Sequence, residues 1–407
     1  MFTKKVGLGV LLSALAGIYI TQVMITTIAM QSLPVLLRQA GASLQFVGLS
    51  ALFMLPWALR FVWAPAVERW RLPAGTVQRR SRTLILRGQW LLAAGMAVVA
   101  FAGVAGYLSL AEQGSFLLAL FFLAALLSAS VDIACGGFAV DQLAQGRRSL
   151  GNMAKVGGSY VGMLLGSSIF LLLAGRYGWA WALGCAGLAI VVLTLPLLSL
   201  QEPAREQPGD VQTRPSLMQS WCRPQVRLGL LLAFFLGAGV RTAVVMVGPL
   251  LVDKGLSNTD LAWIFGAFSV GAGLVGTVLG GLLMRWFSNW TAVTVSVALQ
   301  ALILLVLSLS ADQVSVGNLV LLSGLLFVAM ACGFVTIYSS LMGLTTPSQP
   351  GVDWALFQCA DALMAMLGGL LGGALAERWG YGLCFLLAAV LAACACVLVV
   401  KCRPAQA

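Results

Sequence analysis

A chain of 407 residues that is 60% hydrophobic, only 9% charged and +0.97 in mean hydropathy has too little polar surface for a water-soluble domain of this length. Its formal net charge of +11 has no basic domain outside the bilayer to gather in, which excludes a nucleic-acid-binding reading. Histidine is absent, so histidine-based metal sites and nucleophile activation are excluded, and the nine cysteines read as small apolar packing residues.

Apolar runs of about 20 residues recur along the whole length, each long enough to cross the hydrocarbon layer as a helix. They are too long and too uniformly apolar for barrel strands, and helices satisfy their own backbone in lipid. The expectation is an all-α, polytopic membrane protein with twelve transmembrane helices, at 7–33, 43–66, 83–106, 115–138, 154–175, 179–200, 226–251, 258–283, 291–310, 315–340, 353–375 and 380–400. The first run follows Lys4 and Lys5 but stays apolar well past a signal h-region and lacks a small-residue cleavage site, so it reads as an uncleaved span. With the N-terminus in the cytoplasm, eighteen of the 24 basic residues fall on the cytoplasmic side, which predicts that both termini face inward.

The second span contains Leu55 to Pro65, LPWALRFVWAP, with Arg60 inside an apolar helix. A guanidinium at that depth costs at least ~2.5 kcal/mol even on the mildest insertion scale, so it needs a partner or a task. The alternative is that it snorkels to the cytoplasmic surface, roughly 10 Å away. Asp132 in the fourth span and Asp361 in the eleventh lie at nearly the same depth, about 12 Å from the cytoplasmic ends. Three opposite-sign charges at one level predict a paired cluster that locks or opens the cytoplasmic mouth. A carboxylate that loses its arginine becomes a proton acceptor, one route to proton coupling; a purely structural ion pair is the alternative.

In the fifth span Gly158, Gly162 and Gly166 stand four apart, as do Gly276 and Gly280 in the eighth and Gly368 and Gly372 in the eleventh. Such stripes let backbones approach closely, either as a sliding seam between halves or as static packing. An internal repeat joins Leu173-Ala-Gly-Arg-Tyr-Gly-Trp179 after the fifth span to Leu375-Ala-Glu-Arg-Trp-Gly-Tyr381 after the eleventh, an offset of half the chain. This predicts two pseudo-symmetric six-helix bundles, 1–200 and 226–407, with a substrate site between them. Residues 201–225, with Pro203, Pro208, Pro215 and Pro224, read as a cytoplasmic linker.

Arg241 lies about 21 Å into the seventh span, with no acidic residue expected at matching depth, and is read as a forked donor for an anionic substrate group, the alternative being a structural pairing with backbone carbonyls. Tyr19, Gln22 and Thr26 on the first span, and Cys332, Thr336 and Ser339 on the tenth, offer hydrogen-bonding groups that line a cavity or bind helices together. No nucleotide cradle, histidine-assisted nucleophile or catalytic metal cluster is found, so neither an enzyme nor a primary pump is expected.

Leu55 to Pro65, together with Ser130-Val-Asp-Ile-Ala-Cys-Gly-Gly-Phe-Ala-Val-Asp141, resembles the muropeptide permease and acetyl-CoA transporter branch of the major facilitator superfamily. Gln358 through Asp361 to the Leu-Ala-Glu-Arg turn is more similar to that branch's siderophore permeases, of the rhizobactin, pyochelin and yersiniabactin-associated type. Two features depart from the family pattern. Val131 stands where the family has glutamine, with Cys135-Gly136-Gly137 after the aspartate, and the loop signature after the second span keeps only Glu68-Arg69 and Arg79, Arg80, Arg82. The resemblance implies the major facilitator fold, with Arg60, Asp132 and Asp361 in coupling or gating, while Arg241, Tyr19, Gln22, Thr26, Thr336 and Ser339 are the substrate-site candidates read from the residues themselves. It implies a monomeric secondary transporter of the bacterial inner membrane, without cofactor or metal, that imports a siderophore, free or iron-loaded, by proton-coupled alternating access. The alternatives are a permease or exporter for a muropeptide or another amphipathic anion, and a transporter-like sensor signalling through 201–225.

Overall fold

The computed structural model describes residues 7–40, 49–110, 112–143, 147–204, 215–256, 260, 263–311 and 315–401, and all regular structure among them is helical. Lys4, Lys5, Arg205, Arg214, Cys402 and Arg403 lie outside the described residues, as do parts of the second span, the linker and the start of the eighth span. The helices are α1 Leu8–Thr27, continued through a π turn to Gln39; α2 Leu55–Leu59; α3 Ala64–Arg71; α4 Ser81–Val104; α5 Gly114–Gln142; α6 Arg148–Leu164, continued to Tyr177; and α7 Trp179–Leu198. They are followed by α8 Leu217–Cys222, α9 Pro224–Leu236, α10 Ala238–Asp253, α11 Ser269–Trp286, α12 Asn289–Ser310, α13 Val316–Met342 and α14 Pro350–Lys401.

Ten helices among the described residues are long and apolar enough to span a membrane. The difference from twelve has two physical sources. Pro56 and Pro65 each start a short helix, so the second span is broken into α2, a 3-10 turn Arg60–Val62 and α3. At the other end α14 is two helices that meet in a sharp bend at Gly380, φ 81° and ψ 168°, so the eleventh and twelfth spans count together. Gly178, between the Tyr177 end of the fifth span and α7, has φ 93° and ψ 155°. Both repeated turns therefore bend at a backbone conformation that is essentially glycine-only.

The chain forms two compact units: Met1–Ala144 with Gly158–Leu217 and Pro347–Ala355, and Gln145–Gly157 with Met218–Thr346 and Leu356–Ala407. In the first unit α4 packs against α7 and α5, and α1 lies against the same two helices. Met24, Ile25, Phe121, Phe170, Leu183 and Ile190 are buried in its core. In the second unit α13 is the centre, packed by α11, α12 and α10.

The glycine stripes lie inside the units. A Cβ at Gly162 would stand 2.5 Å from the Ile20 carbonyl oxygen and one at Gly166 2.5 Å from that of Met24, both on α1 in the first unit. Gly276 and Gly280 meet the Val328 and Cys332 carbonyls of α13, and Gly368 and Gly372 meet Thr242 of α10, all in the second unit. The sliding-seam expectation is corrected: these stripes serve backbone packing within each unit, where small residues replace the hydrophobic drive that lipid removes.

The two ends of the linker are fastened within the first unit. Glu202 caps α4 by accepting from the backbone N–H of Ser81 at 3.2 Å and of Arg82 at 3.0 Å. Arg82 in turn donates to the terminal carbonyls of α7, Leu197 at 3.1 Å and Leu198 at 2.5 Å. At the exit, the Ser216 N–H donates to the Gln349 side chain at 3.0 Å, and that amide donates back to the Ser216 carbonyl at 3.2 Å.

Candidate functional site

In the first unit the break between α2 and α3 turns Arg60 inward, where it is 3% exposed. Its guanidinium pairs with the Asp132 carboxylate of α5, so the snorkelling alternative is corrected. Gln22 of α1 completes the group. In the carboxamide orientation that satisfies both of its atoms, it donates to Asp132 Oδ1 at 3.0 Å and accepts from the Asp132 N–H at 3.2 Å. Tyr19, one turn earlier, is buried beside Cys135, Asp132 and Arg60. Thr26 turns its hydroxyl back to the Gln22 carbonyl at 2.8 Å.

In the second unit Gly237 separates α9 from α10 and leaves room for Asp361, whose Oδ1 would lie 3.3 Å from a Cβ at that position. Arg241, one turn into α10, reaches Asp361 with Nη2 at 2.5 Å from Oδ2 and Nε at 3.4 Å from Oδ1. The expectation of no carboxylate at the depth of Arg241 is corrected, and the expected three-charge cluster resolves into two arginine–aspartate pairs, one in each unit. Residue spacing gives the depth of a Cα and not the reach of its side chain, and the long guanidinium arm brings Arg241 to Asp361.

The two pairs differ in access. Arg60 and Asp132 side chains are 3% and 5% exposed, whereas Arg241 and Asp361 are 24% and 14% exposed. Around the second pair stands an aromatic file on α13. Arg241 lies over the Phe334 ring at 4.6 Å, Phe334 stacks on Tyr338 with centroids 5.6 Å apart, and the Tyr338 hydroxyl donates to Asp361 Oδ2 at 3.1 Å. Lys155, from the part of α6 that belongs to this unit, places Nζ 4.8 Å from the centre of the Tyr338 ring. Thr336 and Ser339 on the same helix are fully buried. Thr336 shares a 2.8 Å hydrogen bond with Ser296 of α12, and Ser339 accepts from Asn152 at 3.3 Å, so both join helices.

A third charged group lies at the end of the second span and was not singled out from the sequence. Arg71 forks onto Glu68, Nη2 to Oε1 at 2.6 Å and Nε to Oε2 at 2.8 Å, pairs with Asp141, and donates to the Ser81 hydroxyl at 3.2 Å. Glu68 and Asp141 supply the opposite charge that a fully buried guanidinium needs. Glu68 also accepts from the Gly351 N–H at 3.2 Å, fastening the start of α14 within the first unit. The glycines that depart from the family pattern serve this region: a side chain at Gly137 would overlap Arg71, and one at Gly136 would overlap Trp354. The signal available beforehand was Glu68 and Arg71 one helical turn apart, with Asp141 closing the fourth span.

An apolar cleft of about 480 Å³ between α4 and α5, lined by Leu92, Met96, Phe121 and Leu127, has only Ser130 as a polar contributor and holds none of these charges. No group of three or more potential metal ligands occurs among the described residues.

The family model described as Major Facilitator Superfamily matches residues 15–351. The chain is 24% identical over 384 residues to a protein named putative transporter AmpG 4 from Rickettsia conorii, covering 90% of each. It is 25% identical over 373 residues to the anhydromuropeptide permease of Escherichia coli, covering 88% of this chain and 73% of that one. An uncharacterized Haemophilus influenzae protein is 26% identical over 270 residues, with 60% of its length covered. Among solved structures, the human organic anion transporter MFSD10 superposes with a TM-score of 0.72 at 15% identity, over 96% of this chain and 99% of that one. The E. coli fucose:proton symporter gives 0.71 at 15% identity, over 96% and 98%. At such identities the superpositions speak for the fold.

Proposed function

Because this chain belongs to the Major Facilitator Superfamily, whose members are transporters, we propose that it carries an amphipathic anion of the anhydromuropeptide kind inward across a bacterial inner membrane, driven by protons. The names of these relatives favour this alternative over siderophore import. The two halves, 1–200 and 226–407, exchange access to the cargo, with both termini in the cytoplasm.

The observation that carries the chemistry is the Arg241–Asp361 pair, partly open to solvent and shared with Tyr338. While Asp361 is ionised it holds Arg241. A proton taken up on Oδ2 removes that charge, and the still-protonated arginine becomes a forked donor for a cargo carboxylate. Release of the proton restores the pair and displaces the anion. The closed Arg60–Asp132–Gln22 group acts as the gating lock of the first unit, with Tyr19 and Thr26 of the same helix toward the cargo. Thr336 and Ser339 hold the helix that presents Tyr338.

The test is uptake of a radiolabelled anhydromuropeptide into proteoliposomes under an imposed inward proton gradient. The expected result is accumulation in the wild type that a protonophore collapses, and none above equilibration in Asp361→Asn, with the variant still inserted and monodisperse. Binding without accumulation would identify a sensor. Accumulation of a ferric siderophore in its place would restore the other cargo.

A further inference from the structure

Asp361 has two donors on one oxygen. Arg241 Nη2 stands 2.5 Å from Oδ2 and the Tyr338 hydroxyl 3.1 Å from the same atom. A proton arriving on Oδ2 therefore meets both donors, and one of them has to move or turn to admit it. Among the described residues, the charged and titratable groups seen to face Asp361 include Arg241 from α10, Tyr338 from α13 and, behind the tyrosine ring, Lys155 from α6.

We infer that Tyr338 is a positioning residue for proton exchange at Asp361, and that Lys155 strengthens it by acting through the ring. The inference rests on the reading of Asp361 as the titrating group of the transport cycle. The ring is parallel to Phe334 within 6°, at a centroid distance of 5.6 Å, with Lys155 Nζ 4.8 Å from its own centre. Held in this way, the hydroxyl stays aimed at Oδ2. An ammonium over the π face also draws electron density from the phenol and makes its O–H a better donor. Once the carboxyl is protonated, the same hydroxyl accepts the new O–H, because a phenol is both donor and acceptor. Arg241 can then leave without orphaning the acid. Phenylalanine at this position would preserve stack and cation contact and remove only the hydroxyl, which makes it the discriminating variant.

The readout is infrared difference titration of the purified full-length protein in lipid vesicles, following the protonated-carboxyl band that Asp361→Asn removes. This needs no knowledge of the cargo. Tyr338→Phe is expected to move the midpoint of that band upward by about one to two pH units, the worth of one hydrogen bond to a charged group. Lys155→Gln is expected to move it in the same direction by less, with Lys155→Arg restoring the wild-type value. The pH midpoint of uptake should shift in the same direction. A midpoint that stays in place or falls in Tyr338→Phe overturns the inference while leaving Asp361 as the proton site. Failure of Asp361→Asn to remove any titrating band overturns the underlying reading instead.

Discussion

Asp132 and Asp361 are the same side chain set to different tasks by what surrounds them. Asp132 is closed off with Arg60 and Gln22, and removing one partner of such a group strands a buried charge. Asp132→Ala is expected to cost roughly 3–5 kcal/mol in thermal or denaturant unfolding of the detergent-solubilised protein. The double variant Arg60→Met, Asp132→Leu should recover most of that loss. If the double variant is stable yet transports nothing, the pair is part of the gate rather than a brace. That Arg60 needs a buried carboxylate was legible in the sequence, because a guanidinium at that depth is costly alone, but depth placed Asp132 and Asp361 at the same level and did not choose between them. The partner of Arg241 was not legible, since residue spacing carries no information on which way a guanidinium points or how far it reaches. Lys155 and Arg71 were counted toward membrane orientation, and a count of charges conceals which are buried among partners.

Among the elements, the most legible feature was the repeated arginine–aromatic–glycine turn. Gly178 and Gly380 adopt φ 93° and 81°, where a Cβ is strained whatever the space around it. Gly178→Ala and Gly380→Ala should each destabilise by roughly 1–3 kcal/mol, visible as lowered apparent Tm in detergent. Alanine at Gly175, one turn before the first bend and in open space, should not. The stripes were legible as stripes, but not in what they touch: spacing identifies a smooth face and is silent about its neighbour. Gly276→Leu is expected to cost roughly 1–3 kcal/mol by forcing α11 off the Val328 carbonyl, whereas Gly271→Ala, facing open space on the same helix, should be neutral or slightly stabilising. The broken second span was signalled by Pro56 and Pro65, which a hydropathy window averages away.

For the molecule as a whole, composition alone was enough to exclude every soluble architecture, and charge asymmetry gives an orientation that reporters can test. A fluorescent protein fused after Ala407 should fold and fluoresce, and a periplasm-dependent phosphatase at the same place should stay inactive; the opposite pattern would invert the topology. The tethering of the linker's flanks has a further consequence. Glu202 sits on the first turn of α4 and Ser216 on Gln349, each through contacts that do not depend on the peptide between them. A polypeptide nicked between Ala204 and Pro215 would forfeit chain-closure entropy but keep both of these fastenings, so the two ends at the cut would stay anchored in the first unit.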